Sequence, residues 1–169
     1  MPNRLAQPAV IGDFLLYRLN RLLSVGGAPV IRLCEGRLGI TRREWRVIAA
    51  LAQYQVLMSS QLAEHAQLDR ARTSRAISGL VAKGLINRQI VPSDQRKATV
   101  CLTDKGQALY ASFFPVVADL NRRLVQSLGA DELAVLDKAL STMQLEAEKM
   151  LNDDELPKAN RRRSGHRDA

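Results

Sequence analysis

The sequence predicts a mainly α-helical fold that carries one small β-hairpin, and three observations indicate this class. Leu, Ala and Arg, which favour helices, are the commonest of the 169 residues, whereas aromatic residues make up only 4%. Apolar residues recur at intervals of three and four in several separate segments. Only residues 86–102 change to a β-rich composition around a polar turn.

The first helices are predicted from apolar spacing and from residues that begin or end helices. Apolar residues lie at helical spacing over residues 10–23, and Gly-Gly-Ala-Pro at 26–29 is expected to end this helix. A short helix is expected at 30–36. Thr41 and Glu44 form a predicted capping box that starts the next helix. The buried stripe of that helix is expected to contain Trp45, Ile48, Ala49 and Leu51.

Two further short helices are predicted before the β-rich segment. Ser59 and Ser60 open the first, and Asp69 caps the second, which runs to Gly84. Only residues 67–68 separate them, so the pair forms a helix-turn-helix. The residues of the first helix that are expected to face inward are Leu62, Ala63 and Ala66.

A hairpin is predicted directly after this helix pair. The segments 86–91 and 98–102 are β-rich, and the polar residues 92–97 between them favour a turn. A hairpin that follows a helix-turn-helix makes the unit a winged helix-turn-helix.

Two long helices are predicted after the hairpin. Thr103 caps the first, in which Pro115 is expected to produce a kink because proline cannot donate a backbone hydrogen bond. The chain is expected to break at 129–130 before a last helix. Residues 152–169 are polar and without periodicity, which is typical of a disordered tail.

The charge is uneven along the chain and suggests a polyanionic partner. The net charge is +8 and the isoelectric point is near 10.1. The first 102 residues hold 15 basic and 6 acidic residues, and residues 103–152 are net acidic. Such segregation favours a binding face for nucleic acid, although simple solubility is the alternative. No apolar run is long enough for a membrane span or a signal peptide, so a cytoplasmic location is expected.

The helix that Asp69 caps has the composition of a DNA-recognition helix. On a helical wheel, Arg75 points away from the predicted inner side, which is formed by Thr73, Ile77, Leu80, Val81 and Gly84. The outer side combines arginines with small residues, which allow a helix to enter the major groove while Arg contacts guanine. The alternative is an ordinary solvated face. The DNA-binding residues predicted on this helix are Arg70, Arg72, Ser74, Arg75 and Ser78.

The hairpin tip adds further basic side chains. Arg96 and Lys97 are expected to enter the adjacent minor groove, where narrow A·T segments attract arginine. Asp94 is expected to accept a hydrogen bond from an arginine and so to support the wing. An ordinary polar turn is the alternative.

Three segments of the chain resemble the MarR (multiple-antibiotic-resistance regulator) family. They are Gly39 to Ile48; Ser74-Arg75 with Leu80 to Ile86; and Asp94-Gln95-Arg96 with Leu102-Thr103, which is similar to the family's wing signature. The match runs from about residue 10 to 150. Two departures are Thr73, where the family usually has an aliphatic residue, and Gly129-Ala130 in place of a serine cap.

The resemblance implies a homodimeric, cytoplasmic transcription regulator that binds a pseudo-palindromic operator in double-stranded DNA, most often as a repressor. It divides the chain into four regions. They are 1–36, an N-terminal dimerisation helix and connector; 37–102, the winged helix-turn-helix domain; 103–151, the C-terminal dimerisation helices; and 152–169, the polar tail.

The resemblance also implies a small-molecule effector between the dimerisation helices and the DNA-binding domain. A small aromatic or heteroaromatic carboxylate is expected, because an arginine can pair with its carboxylate while an aromatic side chain packs on its ring. The alternative for these arginines is a role in dimer salt bridges or phosphate contacts. The effector-binding residues predicted here are Tyr17, Arg18, Arg43, Trp45 and His65.

Other chemistry is not supported by the sequence. Two histidines do not make a metal site, and Cys34 and Cys101 are expected to be inert, so neither a metal nor a cofactor is predicted. No catalytic constellation supports an enzyme. An architectural or RNA-binding winged-helix protein without an effector remains the alternative function.

Overall fold

The structure, a computed structural model, describes residues 3–91 and 94–151, without the side chains of residues 91–97. The chain forms two compact units, Met1–Leu124 and Val125–Ala169. The described elements are a 3-10 helix (Ile11–Asp13), α1 (Leu15–Leu38), α2 (Arg42–Tyr54), β1 (Val56–Met58), α3 (Ser59–His65), α4 (Arg70–Ala82), β2 (Ile86–Val91), β3 (Asp94–Leu102), α5 (Asp104–Val125) and α6 (Ala130–Leu151). The predicted class, mainly helical with a small wing, is confirmed.

The wing is a three-stranded antiparallel sheet in the order β1-β3-β2. β2 pairs with β3 from Ile86 opposite Leu102, and β1 pairs with the other edge of β3 through Val56 opposite Cys101. The sequence did not indicate β1, because three residues are too few to show a period. The predicted turn at 92–97 was too long, since β3 already begins at Asp94.

Helix α1 is a single helix of 24 residues, so the predicted break at 26–29 was wrong. Gly26 lies against Leu124, and a Cβ added at Gly27 would lie 3.0 Å from Nη1 of Arg42. These glycines therefore allow close packing of α1 on its neighbours, and this packing outweighs their low helix propensity. Pro29 lies within the helix.

The core forms where α2 packs on α4, α5 and the sheet. The predicted capping box is present, with the Glu44 amide donating to Thr41 Oγ1 and the Thr41 amide donating to Glu44 Oε2. Trp45 meets Phe113 edge-on, with ring centroids 4.8 Å apart. The largest fully buried apolar side chains are Ile40, Ile48, Leu51, Leu62, Leu80, Ile86, Val47 and Val100.

Helix α4 begins where the sequence predicts, because Asp69 accepts a hydrogen bond from the Arg72 amide at 2.7 Å. Thr73 is buried as expected, and its hydroxyl donates to the Asp69 carbonyl at 2.9 Å. This hydrogen bond explains how a polar residue occupies an apolar position of the family pattern. The placement of Val81 and Gly84 on the inner side was wrong, since both are exposed and Gly84 lies beyond the end of α4, whereas Ala76 is buried.

The last two helices follow the prediction more closely. Thr103 caps α5 by accepting from the Gly106 amide at 3.1 Å, and α5 continues through Pro115 to Val125. In the second unit, α6 begins at Ala130, which is the second residue of the predicted break. The tail expected at 152–169 lies outside the described residues. No helix in the described part of the chain is long and apolar enough to cross a membrane.

Gly106 is required where α5 begins beneath the sheet. A Cβ at this position would run into the Leu85 carbonyl oxygen, which is part of the backbone and accepts a hydrogen bond from Thr103. We therefore expect Gly106→Ala to lower the free energy of unfolding by about 1–3 kcal/mol, as overpacking generally does. Urea unfolding measures this change.

Gly36→Ala is the matched control, because Gly36 lies in α1 and has nothing within 4 Å of an added Cβ. It should raise the free energy of unfolding by about 0.5–1 kcal/mol through helix propensity. Equal effects of the two substitutions would contradict the role assigned to Gly106.

Candidate nucleic-acid interface

The outward face of α4 carries the side chains that the sequence predicts for DNA contact. All five are exposed: Arg70, Arg72, Ser74, Arg75 and Ser78. Asp69 is the last acidic residue before the end of the helix, and its carboxylate lies 3.3 Å from Nε of Arg72. The face therefore presents positive charge and short hydroxyl side chains.

A first cleft, which we call the wing-side cleft, lies between α4, the start of α3 and strand β2. Its volume is about 220 Å³. Arg70 and Ser74 of α4 line it together with Arg88 of β2. Two guanidinium groups and several hydroxyls converge here, a donor set that suits a DNA phosphate. The sequence prediction missed Ser59, Ser60 and Arg88 as members of this cleft.

A second cleft, the α2-side cleft, lies on the other side of α4 and has a volume of about 140 Å³. Arg72 and Arg75 line it from α4, and Thr41 and Arg43 line it from the start of α2. Nε of Arg75 donates to the Ala71 carbonyl at 3.3 Å, so this side chain lies along its own helix. Helix α4 thus has a basic cleft on each side.

A buried ion pair holds α4 against α2. Glu44 is 4% exposed, and both of its carboxylate oxygens accept hydrogen bonds from Nζ of Lys83, at 2.7 and 2.8 Å. Gly79 lies beneath this carboxylate, because a Cβ there would approach Oε1 to 2.5 Å. Gly79 therefore packs against α2.

The wing residues lie at the start of β3. Asp94, Arg96 and Lys97 belong to this strand, and the backbone pairs Val91 with Asp94. Their side chains are outside the described part of the structure. Their roles in minor-groove contact and wing support stay predictions.

The predicted effector residues do not form one site. Trp45 and His65 line a common cavity between α2, α3 and α5. Arg43 lies in the α2-side cleft, which agrees with the alternative that it contacts phosphate. Tyr17 and Arg18 are exposed on α1 and line neither of these spaces.

Cys34 has the character expected of an inert thiol. Cys34 is fully buried, and its burial, followed by the nearby charge of Glu35, raises the pKa of the thiol to about 11. Little reactive thiolate therefore exists at neutral pH. Cys34 and Cys101 are both free, and the described residues contain no group of three or more potential metal ligands.

Comparison with known proteins decides the family. The model of the MarR family matches residues 40–98, which span α2 to the middle of β3. The multiple antibiotic resistance protein MarR of Escherichia coli is 30% identical over 104 residues, which are 61% of this chain and 72% of that protein. The chain belongs to the MarR family. It is a DNA-binding transcriptional regulator and not an enzyme.

Solved structures of similar chains agree with the fold. A MarR family regulator from Silicibacter pomeroyi is 28% identical, with a TM-score of 0.69 over 87% of this chain and 94% of that one. A mutant of E. coli MarR, crystallised with operator DNA, is 26% identical, with a TM-score of 0.64 over 80% of this chain and 99% of that one. BpsR of Bordetella bronchiseptica, whose DNA binding is regulated by 6-hydroxynicotinic acid, is 21% identical. Its TM-score is 0.65 over 75% and 98% of the two chains, and it shows the fold alone.

Arg88 tests the wing-side cleft, because it lines this cleft from β2 and not from the face of α4 that is predicted to contact bases. We expect Arg88→Ala to weaken binding to specific and random DNA by the same factor. The slope of log affinity against log salt should fall by about 0.9, the value for one phosphate contact. Fluorescence anisotropy over a series of salt concentrations measures both quantities.

Arg37→Ala serves as the control, since Arg37 is exposed in the last turn of α1 and lines neither cleft. It should leave the slope unchanged. A change in sequence preference in Arg88→Ala, with an unchanged salt slope, would contradict phosphate contact.

Proposed function

We propose that this MarR-family regulator is a homodimeric repressor that leaves a pseudo-palindromic operator when it binds a small aromatic or heteroaromatic carboxylate. The observation that carries the DNA-binding part is the outward face of α4. Arg72, Arg75 and Ser78 are exposed there, and a basic cleft lies on each side of the helix. This arrangement suits a base contact from Arg75 and phosphate contacts from Arg70 and Arg88 in the wing-side cleft.

Dimer formation is supported by exposed apolar residues on helices outside the DNA-binding face. On α1, four apolar side chains are more than half exposed: Leu16, Leu22, Leu23 and Val25. In the second unit, α6 has four more: Val135, Leu145, Met150 and Leu151. Apolar surfaces of this extent are typical of interfaces. A two-fold dimer would place two α4 helices about one DNA turn apart, ~34–36 Å, which explains a palindromic site.

The effector proposal is supported by cavities that combine apolar walls with an arginine. One of about 630 Å³ lies between α1, α2 and α5 and contains Arg42. Another of about 650 Å³ lies between α2, α3 and α5 and contains Arg46. The similar fold of BpsR, with its named ligand 6-hydroxynicotinic acid, points to the same ligand class. To release DNA, the effector must bind more tightly to a conformation that does not fit the operator.

Arg75 is expected to contact a base and Arg70 a phosphate. After operator selection from random DNA, Arg75→Ala should lose ~1–3 kcal/mol of binding free energy and tolerate any base at one position per half-site. Arg70→Ala is the matched control and should weaken all sequences equally. Uniform loss in Arg75→Ala would contradict the base contact, and selection without any consensus would favour the architectural or RNA-binding alternative.

Two measurements test whether the protein is a dimer and whether an aromatic acid releases it from its operator. Sedimentation at micromolar concentration should give a dimer, because a monomer would leave the apolar residues of α1 in water. Benzoate or nicotinate at millimolar concentration should then release the labelled operator, whereas cyclohexanecarboxylate, which has the same charge but no aromatic ring, should not. A monomer, or an operator complex that neither acid changes, would contradict the proposal.

A further inference from the structure

The turn between α3 and α4 contains a glutamine in a backbone conformation that favours glycine. Gln67 has φ of +49°, in the left-handed region that residues with a Cβ rarely adopt. Helices α1 and α4 are also followed by residues of positive φ, which are Gly39 at +62° and Gly84 at +66°. The turn after α3 therefore lacks the residue type that the other two helix ends have.

The backbone hydrogen bonds of the turn require this conformation of Gln67. The Gln67 amide donates to the Glu64 carbonyl at 2.8 Å. The Leu68 amide donates to the Ala63 carbonyl at 2.9 Å. These two bonds form a Schellman motif, in which the residue after the helix end is left-handed. Asp69, which caps α4, follows directly, so the conformation of Gln67 determines where α4 begins.

One side chain of α2 holds this turn. Nη2 of Arg46 donates to the backbone carbonyl and to Oε1 of Gln67, each at 3.2 Å. Hydrogen bonds from a charged donor are stronger than those between neutral groups. Among the described residues, the hydrogen bonds found for the Arg46 side chain all go to Gln67, and none of the ion pairs found there involves Arg46.

Arg46 reaches the turn from a fixed position. Its neighbours in α2, Trp45 and Val47, are both buried in the core. Partial burial, and then the nearby charge of Arg42, lower the pKa of Arg46. Its guanidinium group has therefore lost part of its hydration, and the two oxygens of Gln67 replace that hydration.

We infer that Arg46 is a positioning residue for DNA recognition, because it holds Gln67 in the left-handed conformation and so fixes the start of α4. Without its hydrogen bonds, Gln67 would populate backbone conformations of negative φ, which are lower in energy for a residue with a Cβ. The Schellman motif would then open. The inference rests on the proposed function for the role of α4 in contacting DNA.

The residues nearest this turn are among those expected to contact DNA. Arg70 is the first residue of α4 and lines the wing-side cleft. The Asp69 carboxylate accepts from the Arg72 amide at 2.7 Å and lies 3.3 Å from Nε of Arg72. A moving turn would displace both arginines from the positions that fit the operator. Binding to random DNA depends mainly on the number of charges and should suffer less.

Arg46→Met tests the positioning role, because methionine keeps a long side chain but cannot donate hydrogen bonds. In the full chain, affinity for the selected operator should fall about ten-fold, and affinity for random DNA should fall less than about three-fold. The slope of log operator affinity against log salt should stay unchanged, which fluorescence anisotropy measures. Arg37→Met removes an equal charge from an exposed position of α1 and should change neither affinity by more than about two-fold.

A glycine at position 67 should rescue this variant, which general damage to the fold would not allow. Glycine adopts positive φ without support, so Arg46→Met/Gln67→Gly should regain operator affinity to within about two-fold of the unmodified protein. Gln55→Gly is the matched control, since Gln55 also has positive φ, at +64°, but follows α2 and lies outside this turn. Added to Arg46→Met, it should restore nothing.

Amide hydrogen exchange reports on the turn without any DNA. The Leu68 amide should exchange about ten-fold faster in Arg46→Met, and Gln67→Gly should reverse this change. The Leu85 amide is the internal reference, because it donates to the Leu80 carbonyl at 3.0 Å in the same kind of motif after α4. Its exchange should stay unchanged, which excludes a general loss of stability.

The outcomes separate this inference from the proposed function. The inference is overturned if Leu68 exchange is unchanged in Arg46→Met, if Gln67→Gly does not rescue that variant, or if the salt slope falls by about 0.9, the value for a lost phosphate contact. It is also overturned if Arg75→Ala weakens operator binding and Arg46→Met does not. If neither Arg75→Ala nor Arg70→Ala affects operator binding, the proposed contact of α4 with DNA fails, whereas faster Leu68 exchange still supports the hold of Arg46 on the turn.

Discussion

One buried carboxylate determines how the recognition helix is held. Glu44 accepts a hydrogen bond from the backbone amide of Thr41, and both of its carboxylate oxygens accept from Nζ of Lys83. A buried carboxylate is unfavourable unless it is paired and hydrogen-bonded. The start of α2 and the end of α4 therefore keep one relative position, in which Gly79 leaves room for the carboxylate. The α2-side cleft depends on this position, because it is formed by α4 and the start of α2.

Much of the fold is predictable wherever one short segment contains the whole signal. The capping box at Thr41, the cap at Asp69 and the cap at Thr103 each involve residues within three positions of one another. The sequence-based predictions are wrong where contacts with distant segments determine the local structure. From their sequence neighbours alone, the glycines at 26 and 27 predict the end of a helix. In the structure they allow α1 to pack closely against Leu124 and Arg42. Strand β1 exists because β3 is available to pair with it.

The residues of the candidate site also fall into two groups, those that the local sequence predicts and those that only the fold brings together. The outward residues of α4 follow from the helical period, and the exposure of Arg72 and Arg75 agrees with it. Arg88 could not be assigned from the sequence, because the fold brings a strand beside the helix. Arg43 lies two positions before Trp45 in the sequence, yet helix positions two apart point to different sides, so the two side chains line different spaces.

The two faces of α4 make different contacts, and this affects how the DNA specificity of such regulators can change during evolution. Its inner face is committed to the core through Thr73, Ala76, Ile77 and Leu80, and to Glu44 through Gly79. Its outer face makes few contacts within the protein. Substitutions on the outer face can therefore accumulate without opening a cavity or leaving a buried charge unpaired. A gene duplicate of this regulator could acquire a new set of target promoters through a few substitutions on this outer face, because those substitutions leave the fold intact.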